Sequence, residues 1–170
     1  MPESERKRTN FIAAICELIA ATCGIMYIKN KQMAIFGERS INNLKGVHPN
    51  LVKVMTEAIK NTPIDFAITE GVRTIARQQK LYAQGRSRPG VRVTNADGIV
   101  NKSNHQAKSD GFGYAVDLYP CINGKVEINA VNELKTIAAH IKSVAIILNI
   151  PITWGGDWKS PNDLPHFELK

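Results

Sequence analysis

Four histidines and a handful of carboxylates hold most of the chemistry open to this chain, and their surroundings differ. His166 follows Pro165 near the C-terminus, in Asp163-Leu164-Pro165-His166-Phe167-Glu168. Proline fixes its own φ and biases the residue before it away from helix. His166 is therefore expected to begin a short strand, with Asp163 projecting from the turn that feeds it. Asp117 interrupts an apolar run (Ala115, Val116, Leu118), and an acid there must be paired, hydrogen-bonded or metal-bound. His105 lies in the polar stretch Ser103-Asn104-His105-Gln106, shortly before that run. Two imidazoles and one carboxylate suit a catalytic zinc ion, whose three protein ligands leave the fourth tetrahedral position to water. Zinc brings the pKa of such a water to about 7. The competing reading makes His105 a solvated loop residue and pairs Asp117 with a nearby arginine. His48, before Pro49, caps a helix or faces solvent; His140 lies on a helix surface or half-buried.

Elements must bring these residues together. Leu51, Val52, Val54, Met55, Ala58 and Ile59 recur at helical spacing after Pro49, and Thr62-Pro63 ends the run. Ile64 to Thr69 alternates as a half-buried strand does. Thr74 opens a second helix that runs to Gly85. Residues 86–113 contain five glycines or prolines and little periodicity, so they form a long basic loop of the kind that is usually functional or mobile. Tyr114 to Tyr119 reads as a buried strand, Val131 to Leu148 as the longest helix, and Pro151 to Trp154 as a strand leading into the terminal segment. Residues 33–45 read as a mixed connector. Strands and helices in mixed order indicate an α+β fold, a small antiparallel sheet flanked by helices.

The composition, 44% hydrophobic and 22% charged over 170 residues, is that of a folded chain with one sizeable domain. Its net charge of +7 is concentrated. Between Arg73 and Lys108 stand eight Lys/Arg against one acid, Asp97. Such a stripe favours an anionic partner, and the single aromatic within it, Tyr82, argues against a surface for stacking single-stranded nucleic acid. Thr9 to Ile28 runs twenty residues with one charge, Glu17. That is the length of a bilayer span but weakly apolar. Three readings stay open for residues 1–32: a releasable membrane anchor acting through residues 9–28, a cleaved signal peptide, or an apolar helix of the fold. Cys16, Cys23 and Cys121 make neither a disulfide framework nor a zinc spacing.

Gly71-Val-Arg73-Thr74-x3-Gln78-x2-Leu81-Tyr82-Ala-Gln-Gly85-Arg86, Ser103-x-His105, Gly113-x-Ala115-Val-Asp117, Trp154-Gly-Gly-Asp-Trp158 and Asp163-x-Pro-His166 together resemble the M15 peptidases. These include D-Ala-D-Ala carboxypeptidases and dipeptidases, and the L-alanyl-D-glutamate endopeptidases that phages use as endolysins. The last branch fits best, and the resemblance covers residues 38–170, expected as one catalytic domain of hedgehog-like zinc peptidase fold. It implies that His105, Asp117 and His166 bind one zinc ion. It implies that Asp163 is the general base and acid, that Arg73 stabilises the carbonyl oxygen or a substrate carboxylate, and that Gln78 and Ser103 line the substrate cleft. One departure stands out: the family commonly has seven residues from histidine to aspartate, and here His105 and Asp117 are twelve apart. Gln106 to Phe112 must then bulge away and return.

The N-terminal run resembles the signal-anchor-release segments of some endolysins, and a pairing of Cys16 or Cys23 with Cys121 would alter that release. The expected function is hydrolysis of peptidoglycan stem peptides between L-Ala and D-Glu, by a monomer that binds no nucleic acid. The chain would be phage-encoded, made in the host cytoplasm, and active in the periplasm or wall. The alternatives are a D,D-carboxypeptidase or dipeptidase, and a membrane-tethered wall-binding module without catalysis.

Overall fold

The computed structural model describes residues 34–160 and 162–170. Helix α1 (Glu38–Asn43) precedes α2 (Pro49–Lys60), β1 (Phe66–Glu70), α3 (Ile75–Ala83), β2 (Ala115–Ile122), β3 (Lys125–Val126), α4 (Val131–Ile147), β4 (Ile152–Trp154) and β5 (His166–Leu169). Local chemistry sets the boundaries. Pro49 occupies the first turn of α2, and Nδ1 of His48 accepts the Asn50 amide at 3.2 Å, so this histidine is a helix cap. Thr74 caps α3 by accepting the Arg77 amide at 3.1 Å. Asn149, at φ 55°, ends α4 in the left-handed conformation that asparagine tolerates. Asn123 and Gly124, at φ 53° and 75°, form the tight turn between β2 and β3.

The main sheet runs β1-β2-β5-β4, every pair antiparallel, with β3 paired to β2 alone. Side chains alternate between its faces. Ile68, Val116, Leu118, Phe167 and Leu169 join the core with Leu51, Met55 and Ile59 of α2 and Leu134, Ile137 and Ile141 of α4. His140 lies between the two helices, where its Nε2 donates to the Ala58 carbonyl at 2.9 Å. The opposite face carries Asp117, His166 and Glu168. Register aligns them: Asp117 stands across from His166 on β5 and from Glu70 on β1. An irregularity in β1 between Ile68 and Glu70 shifts the register there and brings Glu70 to that position.

The α+β class and the small antiparallel sheet with helices are as the sequence indicates. Residues 33–45 differ from the expected connector, because 38–43 form α1; six residues are too short for periodicity to reveal. Residues 1–32, with the expected apolar helix and membrane association of residues 9–28, lie outside the described residues, as do Cys16 and Cys23. Among the described residues no helix is long and apolar enough to cross a membrane.

Candidate metal centre and active site

Strand β2 delivers Asp117, β5 delivers His166, and the loop after α3 delivers His105. One ligand atom from each lies within 4.8 Å of the others. His105 Nε2 and His166 Nδ1 both stand 3.3 Å from Asp117 Oδ1 and 3.2 Å from each other. The twelve-residue spacing is accommodated as the longer loop requires. Lys108 donates its amide to Phe112 at 2.9 Å, closing the excursion on itself, and Tyr114 donates to the Asn104 carbonyl at 2.7 Å. The chain thus returns beside its own point of departure. The Arg73 amide also donates to the His105 carbonyl at 2.9 Å, which fixes the histidine's backbone.

Hydrogen bonds on the far sides of the rings decide what the near sides offer. His105 Nδ1 donates to the Gly71 carbonyl at 2.8 Å. His166 Nε2 donates to Glu168 Oε2 at 2.9 Å, and Asn104 Nδ2 holds the same oxygen at 2.8 Å. Once a cation displaces the protons shared between the rings and Asp117, a ring whose far nitrogen donates has a lone pair on the near one, so His105 Nε2, His166 Nδ1 and Asp117 Oδ1 can offer three electron pairs to one point. Metal-ligating histidines are oriented by carbonyls and carboxylates in this way. The residues present fit a divalent cation.

Charge at the site follows from the same contacts. Burial opposes ionisation of Asp117, yet hydrogen bonds from His105 and His166 and the charge of Arg73 hold it well below the usual carboxylate range. Burial also opposes the charged form of His166, but Asp117 and Glu168 outweigh it and push its pKa up to about 9. His166 holds the Glu168 carboxyl down, against the effect of its burial. Asp163 moves the other way, raised by burial and then by the negative charge of Asp117. A carboxylate of raised pKa beside a metal-type centre is suited to taking and returning a proton.

Arg73 pairs with Asp117 Oδ2 and, at 2.8 Å, with Glu70 Oε2. The arginine pairing and the histidine convergence, weighed as rivals from sequence, therefore coexist on the two oxygens of one carboxylate. A cavity of about 570 Å³ opens over the cluster, walled among others by Arg73, Arg92, Ser103, Tyr119, Trp158 and Asp163. Ser103 accepts the His105 amide through Oγ at 3.3 Å. Gln78 is fully buried and stands behind the wall: its amide donates to Thr94 Oγ1 at 3.2 Å and to the Ala96 carbonyl at 2.9 Å. It anchors the loop that lines the cavity.

The terminal segment positions Asp163 and His166 around a glycine. Gly155, in the short 3-10 turn Gly155–Asp157, accepts the Asp163 amide at 3.0 Å. A Cβ on Gly155 would strike the Asp163 carbonyl and come within 3.1 Å of the Cβ atoms of both Asp163 and His166. Trp154 donates from its indole to the Leu164 carbonyl at 2.7 Å, and the Trp158 ring lies 5.1 Å from that of His166. No sequence pattern marked Asn104, and Gly155 stood out only as part of the Trp154-to-Trp158 motif. Glu168 had a signal: two places along a strand from His166, it shares that residue's face.

Fold and site together define a small α+β protein with a two-histidine, one-aspartate centre in an open cleft. The family model described as phage L-alanyl-D-glutamate peptidase matches residues 33–169. Over 135 residues the chain is 31% identical to the L-alanyl-D-glutamate peptidase of Escherichia phage T5, covering 79% of this chain and 88% of that one. It is 34% identical over 135 residues to the peptidoglycan L-alanyl-D-glutamate endopeptidase CwlK of Bacillus subtilis (strain 168), covering 72% and 73%. The crystal structure of the Serratia marcescens L-Ala D-Glu endopeptidase ChiX superposes with a TM-score of 0.64 at 30% identity, over 84% of this chain and 94% of that one. The chain belongs to the phage L-alanyl-D-glutamate peptidase family.

Proposed function

We propose that this chain is a zinc-dependent endolysin-type endopeptidase that hydrolyses the L-Ala–D-Glu bond of peptidoglycan stem peptides. The observation that carries the reading is the convergence of one ligand atom each from His105, Asp117 and His166 within 4.8 Å, with both rings oriented by acceptors behind them. These three residues would hold the ion. Bound zinc supplies Lewis acidity, polarising the scissile carbonyl and bringing the pKa of water to about 7.

The remaining work falls to side chains in the cleft. Asp163 accepts the proton of the attacking water and returns it to the departing amine of D-Glu. Burial and the Asp117 charge raise its pKa toward the range where both transfers are easy. Arg73 holds Asp117 in place and keeps a fixed positive charge at the cavity wall, where negative charge develops on the carbonyl oxygen. Gln78 sets the position of the loop wall from behind. Ser103, on the cavity wall, contacts the bound peptide. The action is on the bacterial cell wall, and the basic surface between Arg73 and Lys108 suits that anionic polymer. We place any membrane tethering before release in residues 1–32.

Purified wall incubated with the protein, with and without a chelator, tests this reading. New alanine carboxyl and glutamate amino termini that disappear with chelator are expected. Free D-Ala would assign the chain to D,D-carboxypeptidase activity instead. Retained wall binding without release of termini would make it a binding module.

A further inference from the structure

A peptidase for the bond between L-Ala and D-Glu meets a second carboxyl group in its substrate. Glutamate carries two, and a peptide continues through one of them. The residue on the leaving side therefore keeps the other, a carboxylate a few bonds from the departing nitrogen. Three acids, Asp117, Asp163 and Glu168, already line the cavity, so this extra negative charge needs a cation to meet it.

Two guanidinium groups line that cavity, Arg73 and Arg92. Arg73 is held between Glu70 and Asp117. Arg92 forms no ion pair among the described residues; its Nε makes a long hydrogen bond of 3.4 Å to the Gly85 carbonyl. Two other arginines of the same stretch are engaged elsewhere. Arg86 lies 3.9 Å over the Tyr82 ring and donates to the Tyr82 and Thr94 carbonyls at 2.7 and 3.0 Å, and Arg77 pairs with Glu70 at 2.8 Å.

The wall that carries Arg92 is also fixed. The Arg86 bonds and the Gln78 amide tie Thr94 and Ala96 to α3, and the Gly85 amide donates to the Arg88 carbonyl at 2.8 Å. A planar guanidinium on a fixed support, in no ion pair with any described acid, suits bidentate capture of a carboxylate.

We propose that Arg92 binds the free carboxylate of the substrate's glutamate and so selects this bond over others in the stem peptide. The assignment rests on the L-Ala–D-Glu reading of the site.

Two synthetic L-Ala–D-Glu peptides, identical except that the free carboxylate of one is a carboxamide in the other, test it. Wild-type enzyme is expected to favour the carboxylate peptide by about tenfold in kcat/KM, mostly through KM, the scale of one charge-assisted hydrogen bond. Arg92→Gln abolishes the preference and Arg92→Lys restores part of it. An unchanged ratio in Arg92→Gln, or an equal slowing of both peptides, overturns the subsite while leaving the peptidase reading intact. Cleavage of neither peptide by the wild type overturns both.

Discussion

At the scale of single residues, the centre depends on groups that hold its ligands as well as on the ligands. Asp163 is not one of the three converging residues, so Asp163→Asn is expected to bind metal as the wild type does while kcat falls by about 10²–10⁴, the usual contribution of a positioned acid-base group. Equal turnover would remove Asp163 from the mechanism. Glu168 orients His166 through Nε2, so Glu168→Gln is expected to weaken metal affinity about 10–100-fold, measured by competition with a chromophoric chelator. The pH dependence follows from His166. Below about 9 it carries a proton that a cation must displace, so apparent metal affinity should rise about tenfold per pH unit and level off above that value. The metal-free fold behaves oppositely. Its stabilisation by charged His166 is complete below the ordinary value of 6.5 and is lost as pH rises through about 9. Flat affinity between pH 6 and 9 would contradict this. His166, Asp117 and Asp163 were legible because each breaks a local pattern: a histidine after proline, an acid in an apolar strand, an acid feeding a strand. The Gly71 carbonyl that orients His105 was not, because every residue has a carbonyl and only the fold selects one.

At the scale of elements, the centre is an alignment of strands plus one returning loop. Periodicity located α2 and α4, Thr74 marked the start of α3, an apolar run marked the strand that carries Asp117, and Pro165 marked the strand that carries His166. Pairing partners were not readable. Nothing local states that Glu70 stands opposite Asp117, which depends on an irregularity in β1. The loop from Gln106 to Phe112 was foreseen as an excursion, but its closure rests on backbone bonds, Lys108 to Phe112 and Tyr114 to Asn104, that no side-chain pattern encodes. The turn at Gly155 holds Asp163 and His166 at their spacing. Gly155→Ala is expected to lower stability by about 1–3 kcal/mol through overpacking and to reduce activity beyond what the stability loss explains. Thermal unfolding and steady-state kinetics on the same preparation check it. Full activity would show that the turn relaxes without moving either residue.

At the scale of the whole molecule, one face of the sheet makes the core with α2 and α4, and the other makes the cleft. The described core runs from Phe36 to Leu169. A chain starting at Met33 keeps every one of those residues, and it is expected to fold and to cleave wall at the rate of the full-length chain. An unfolded product would assign residues 1–32 to the catalytic fold. The basic stretch from Arg73 to Lys108, visible in composition as an unspecific stripe, has distinct parts in three dimensions: Arg73 lines the cavity while paired with Glu70 and Asp117, Arg77 and Arg86 make bonds around α3, and Arg92 lines the cavity with no ion pair among the described residues. The central claim remains the single cation. Zinc bound per chain, measured by native mass spectrometry on the wild type and on His105→Ala, Asp117→Ala and His166→Ala, tests it most directly. One zinc in the wild type and none in the variants at equal free zinc is predicted; a wild type that binds none, or variants that all retain one, would contradict it.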